Sequence, residues 1–229
     1  MSAGWGELDD RAWHLYAGVH RLLLRLAGQV SDEVLTGARA MLAQGDLSYL
    51  PDTLTMAVVE HGAPLTVWEI GILRDLLVAL GIDAEPAAMD RVAIADVVPA
   101  GVHRFFPDAA DPVRVPAGLD LSDGVPAEFG RLEGLFDLTD QLVTDALGQH
   151  SGVVGVWRAW RSGPVRRRRV YLAEVEPGVP VWKLTLEAQA ELAQSGERDP
   201  QVEVYWYGDE LPPYQRAARD GAVLLWRRR

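Results

Sequence analysis

Apolar residues recur at spacings of three and four through the first 82 positions, the period of amphipathic helices. Leu8, Ala12, Leu15, Tyr16, Val19, Leu22, Leu23 and Leu26 form one stripe, with Asp9 or Asp10 placed to cap it. A second helix begins at Ser31, buries Val34, Leu35, Ala38, Met41 and Leu42, and stops near Gly45. A third runs from about Pro51 to His61, proline being suited to a first turn and Gly62 to an exit. The fourth opens on Thr66-Val67-Trp68-Glu69, a capping box in which hydroxyl and carboxylate satisfy orphan backbone N–H groups reciprocally, and ends at Gly81. Its apolar surface runs nearly all round, so it should be central. Short connections favour antiparallel neighbours, hence a four-helix bundle over residues 1–84.

From about residue 90 the period changes. Val92, Ile94, Ala95, Val97 and Val98 suit a strand within 91–98, although Pro99, Pro107, Pro112, Pro116 and Pro126 mark 85–127 as a proline-rich connection. Phe129 to Leu147 reads as an amphipathic helix. Val153 to Trp160 and Arg166 to Val175 alternate as strands around a Ser162-Gly163-Pro164 turn. Leu184 to Gln194 is a short helix and Gln201 to Tyr207 a strand; Pro212 to Arg219 gives a helical turn and Ala222 to Trp226 a last strand. The order strand–helix–strand–strand–helix–strand is that of a ferredoxin-like, split βαβ antiparallel sheet. The fold class is therefore α+β, with the sheet module in residues 128–229.

Composition narrows the function more than the fold. The 229 residues include no cysteine, which excludes disulfides, thiol catalysis and Cys-ligated metal. The amino terminus lacks the basic and apolar regions of a signal peptide, and the apolar run Leu65 to Leu80 holds Glu69, Arg74 and Asp75. A cytoplasmic protein without membrane attachment is the expectation, as monomer or homodimer. Formal net charge is −11, and residues 1–120 carry 8 Arg against 17 Asp and Glu. So acidic a half repels nucleic acid, whose binding rests on phosphate neutralisation.

Three segments, VVGVWRAW, VYLAEVE and VEVYWYGDELPPYQR, lie between about residues 150 and 217. In order and spacing they resemble the C-terminal domain of SseB-like (enhanced serine sensitivity) proteins. Those end in a valine-rich strand followed by a Pro–aromatic–Tyr segment near an arginine. Pro212-Pro213-Tyr214-Gln215-Arg216 departs from that pattern by placing proline where the aromatic would sit. The resemblance implies a non-catalytic accessory module.

Catalytic patterns are missing. There is no GxGxxG or GxxxxGK phosphate loop and no GxSxG elbow. The histidines at 14, 20, 61, 103 and 150 never pair at i, i+4. Glu133, Asp137 and Asp140 fall at i, i+4 and i+7, a stripe able to hold a divalent cation or supply acid and base, but equally the solvated face opposite Leu132, Leu135, Leu138 and Leu142. Asp120-Leu121-Ser122-Asp123-Gly124 lacks the distal glutamate of a calcium loop and reads as a turn. No catalytic residue, metal site or cofactor is expected.

The stretch VWRAWRSGPVRRRRVYLAEV carries the strongest chemistry. With the turn centred on Gly163-Pro164, Arg158 would oppose Arg169 and Trp160 would oppose Arg167, leaving a basic projecting tip above a base apolar on both faces. Arg158, Trp160, Arg161, Arg166, Arg167, Arg168 and Arg169 are thus candidate partner-binding residues. Three readings stay open: an internal lock onto the acidic half, docking of an acidic protein, and stacking of single-stranded nucleic acid. The function expected is protein–protein recognition of the adaptor, immunity or regulatory kind. The alternative is a small-molecule-sensing or enzymatic module whose pocket Trp68, Trp182, Trp206 and Tyr214 would wall.

Overall fold

Local capping chemistry sets the ends of the amino-terminal helices. The Asp9 carboxylate accepts the Ala12 N–H at 2.7 Å and starts α1 (Asp10–Leu26). The Ser31 hydroxyl accepts from Val34 at 3.3 Å and starts α2 (Asp32–Gln44). Proline sits in the first turn of α3 (Leu50–His61), and the full Thr66/Glu69 capping box opens α4 (Val67–Leu80). Gly45, Gly62 and Gly81 end α2, α3 and α4 in the left-handed conformation. These are the boundaries that the pattern predicts.

The structure, a computed structural model, describes residues 8–96, 103–107, 138–162 and 167–228. It divides into two compact units. The first comprises Met1–Val102, Pro180–Leu186 and Glu210–Arg216; the second comprises His103–Val179, Glu187–Asp209 and Ala217–Arg229. Neither unit is therefore continuous in sequence. No described helix is long and apolar enough to cross a membrane.

In the first unit α1 packs on α2 and α4, and α3 packs on α2 and α4, closing a four-helix ring. Leu22, Leu23, Leu26, Leu35, Leu54 and Leu73 form its dry centre, each contributing roughly 1.5–3 kcal/mol by leaving water. Two later segments complete this unit. Trp182 packs edge-on to Trp13 with ring centres 4.9 Å apart and lies 5.2 Å from Tyr16, while Lys183 Nζ donates to the Ala43 carbonyl at 2.5 Å. Gln215 Nε2 donates to the Leu24 carbonyl at 2.7 Å. Arg25 is held at 2.5 Å from the capping glutamate Glu69 and donates to the Pro64 carbonyl at 2.9 Å, so one carboxylate serves both a cap and a buried ion pair.

The strand expected over 91–98 is not what the described part of it forms. Met89–Arg91 is a 3-10 turn, and Ile94 makes an isolated parallel bridge to Leu65. Residues 97 and 98 lie outside the described residues, as do 129–137 of the predicted helix, Glu133 and Asp137 of the acidic stripe, and the Asp120–Gly124 turn. What is described of that helix is α5 (Leu138–Gly148).

The second unit holds a mixed sheet of β1 (Phe105–Phe106), β2 (Val153–Arg161), β3 (Arg168–Val175), β4 (Gln201–Trp206) and β5 (Val223–Arg227). Strands β1 and β5 both pair antiparallel with β2, and β2 pairs antiparallel with β3. After β3 the chain runs through α6 (Val181–Gln194) and returns as β4, parallel to β3 and hydrogen-bonded to it. The coarse class, α+β with helices mainly amino-terminal and the sheet carboxy-terminal, is as expected. The ferredoxin-like topology is not: a split βαβ unit leaves a strand between its two parallel strands, whereas β3 and β4 are direct neighbours. Helix α7 (Pro213–Asp220) precedes the closing strand.

Candidate functional site

The hairpin register decides what the arginines can do. Strands β2 and β3 pair as Arg158 with Tyr171, Trp160 with Arg169 and Arg161 with Arg168, two residues away from the pairing expected of a turn centred on Gly163-Pro164. A shift of two leaves every side chain on its expected face. It also ends the ladder at Arg161 and Arg168, two residues further from the turn on the β3 side, and gives each arginine a different neighbour. A bulge between Val153 and Gly155 accommodates the change at the base.

On the face that α5 covers, the side chains build a charge-balanced lattice. Asp140 of α5 accepts from Arg158 Nη1 at 2.6 Å on one oxygen and from the Tyr171 hydroxyl at 2.7 Å on the other. Arg158 also donates to the Pro107 carbonyl at 3.0 Å. Arg169 Nη1 donates to Thr139 Oγ1 at 3.2 Å and pairs with Glu197 at 3.1 Å, while its guanidinium lies 4.8 Å from the centre of the Trp160 ring. That stack is a cation–π contact, and the cross-strand pairing of Trp160 with Arg169 produces it. The Arg158 guanidinium stands 5.9 Å from the same ring.

Arg168 donates to the Arg198 carbonyl at 2.9 Å and lies 3.7 Å from the Asp199 carboxylate. Asp199 holds this corner with φ at 51°, a left-handed conformation that aspartate tolerates better than most residues. Arg161 is 8% exposed and Arg169 5%, so these two arginines are buried and do not stand out as bare surface cations. Among the described residues, the carboxylates that Arg158, Arg168 and Arg169 meet include Asp140, Asp199 and Glu197 of the same unit. Of the described candidates Arg167 alone is exposed; Arg166 lies outside the described residues.

The opposite sheet face is covered differently. Arg219 of α7 lies 3.5 Å from the centre of the Trp157 ring, a tight cation–π stack, and Glu203 and Gln201 on that face are also buried. Burial pushes the Tyr205 phenol above its ordinary value; Arg219 beside it pulls the other way, and the charge of Glu174 adds to the rise.

The four candidate pocket walls fall in unlike settings. Trp182 is packed against Trp13 and Tyr16 in the first unit, and Tyr214 is buried there too. Trp206 belongs to the second unit and donates from Nε1 to the Val179 carbonyl at 2.8 Å. Trp68 is 57% exposed on the first turn of α4. Among the histidines, His14 and His61 donate to carbonyls four residues back, His20 is buried, and His150 lies 2.9 Å from Glu187.

One surface escaped sequence reasoning. The outward positions along α3 are its N-cap Tyr49 and then Asp52, Met56 and Glu60, at spacings of three, four and four. Tyr49 is 68% exposed and Met56 53%, and Arg91 reaches the Met56 sulfur at 4.0 Å. Ile94, also exposed, is bridged to Leu65, two residues before exposed Val67 and Trp68. The signal was available: in α3 the positions that the core does not need carry a tyrosine and a methionine alongside the two acids. No known protein family, curated protein or solved structure matches the chain.

Proposed function

We propose that the protein acts by non-catalytic protein–protein recognition, in an adaptor, immunity or regulatory role. The observation that carries this reading is the exposed apolar surface of the first unit. Tyr49, Met56, Val67, Trp68 and Ile94 stand in water on α3 and α4 or next to them. Ordered, exposed large apolar side chains set among acidic ones have the composition of a binding face. The resemblance to SseB-like accessory modules points the same way. The hairpin supports it by contrast: Arg158, Arg168 and Arg169 already hold carboxylates of their own unit, which favours a structural role over docking.

Site-specific photo-crosslinking tests this. A photoreactive residue placed at Tyr49 or at Met56, in cells that make the protein, should give one discrete adduct with another protein. The same group at exposed Gln194 should give none. Equal labelling from all three positions, or no adduct from the two on α3, would refute the assignment.

A further inference from the structure

We infer that the partner docks on α3 through a basic segment that also carries apolar side chains. The inference rests on the recognition reading above and deepens it. Along α3 the apolar anchors Tyr49 and Met56 alternate with Asp52 and Glu60 on one outward stripe, so a bound segment meets both kinds of group at once. Asp90 is exposed next to Arg91, whose guanidinium reaches Met56. The charge of the surrounding sequence has the same sign: residues 1–120 carry 17 acidic against 8 arginine side chains.

A field of that sign selects a cationic partner by steering its approach, and the apolar anchors then slow its departure. It repels nucleic acid and acidic protein surfaces alike. A second copy of this chain, whose formal net charge is −11, is a poor occupant, because two acidic faces of the same sign repel.

The probe is a synthetic amphipathic peptide of leucine, tryptophan and arginine, long enough to lie along α3, whose 12 residues span about 18 Å. Its counterpart replaces every arginine by glutamate. Binding to the full chain is followed by fluorescence anisotropy of a dye on each peptide. The arginine peptide should bind, roughly tenfold more weakly in 0.5 M than in 0.05 M salt, and the glutamate peptide should not. Met56→Asp should abolish binding, and Asp52→Lys with Glu60→Lys should weaken it by about tenfold or more. These positions are exposed, and an unchanged circular dichroism spectrum confirms that each variant is folded.

Equal binding of both peptides would overturn the inference, as would binding that Met56→Asp leaves intact. Sedimentation showing self-association lost in Met56→Asp would make a second copy the occupant and overturn it too. If neither peptide binds while crosslinking from Met56 still captures a protein, the charge assignment fails and the recognition reading stands. If crosslinking fails as well, both fall.

Discussion

Replacing Asp140 removes a single carboxylate from between a guanidinium and a phenol, and the geometry sets the cost. The side chains of Arg158 and Asp140 are 13% and 15% exposed, so the pair is largely withdrawn from water. Exposed pairs contribute about 0–1 kcal/mol, whereas removing one member of a fully buried pair costs about 3–5 kcal/mol. At this depth the loss should lie nearer the upper figure. Asp140→Asn keeps an oxygen for the Tyr171 hydroxyl but not the charge, and should cost about 2 kcal/mol. Asp140→Ala also removes an acceptor of the Tyr171 hydroxyl and should cost about 3–4 kcal/mol. Urea unfolding gives the totals. Hydrogen exchange at β2 and β3 amides locates the loss in the second unit. A double-mutant cycle with Arg158→Met and Tyr171→Phe separates the two contacts. Should Asp140→Ala unfold within about 1 kcal/mol of the parent, the lattice does not hold the hairpin.

Other outcomes follow from the same contacts. Glu69→Ala should cost about 3–5 kcal/mol, since it removes a helix cap and strands Arg25 together, and a loss near 1 kcal/mol would mean that only the cap matters. Arg219→Met, which keeps the aliphatic stem, should cost about 0.5–2 kcal/mol through the Trp157 stack, read by chemical unfolding; no change would deny the cation–π contact. Tyr205 is raised by burial, so its folded-state pKa exceeds the unfolded value near 10 and its stabilising contribution is whole below about pH 10 and lost as pH climbs through the folded value. Above pH 10 the parent should therefore lose more stability than Tyr205→Phe; parallel losses would contradict the assignment. Arg167→Ser should stay within about 0.5 kcal/mol of the parent, in contrast to Arg169→Ser.

Local rules made most elements legible. Asp9, Ser31 and Thr66 are side-chain caps whose backbone N–H donors lie three residues on, and Gly45, Gly62 and Gly81 stop helices by backbone conformation alone. Information of that range is written in the sequence. The pairing of β3 with β4 is not, because neighbour choice depends on where α6 lays the returning chain. Residues 91–94 misled for a related reason: alternating Val92 and Ile94 fit a strand, but among the described residues Ile94 makes a single isolated bridge, to Leu65. The hairpin shows both sides. Face assignment survived because the side-chain period is two, while register was lost because Trp160 stacking on Arg169 and the shared Asp140 are contacts between distant positions. Asp140 was visible as part of an acidic stripe; Glu197 and Asp199 carried no signal at all.

We propose a division of labour in which the α3 face binds a partner and the arginine hairpin holds the second unit together. It is tested most directly by measuring stability and partner capture in the same two variants, Met56→Asp and Arg169→Ser, each carrying a photoreactive group at Tyr49. Met56→Asp should unfold at the parent's urea concentration and lose its adduct. Arg169→Ser should unfold earlier and, where still folded, keep it. The reverse pattern, a stable Arg169→Ser variant that loses its adduct beside a Met56→Asp variant that retains it, would place recognition on the hairpin and contradict the account.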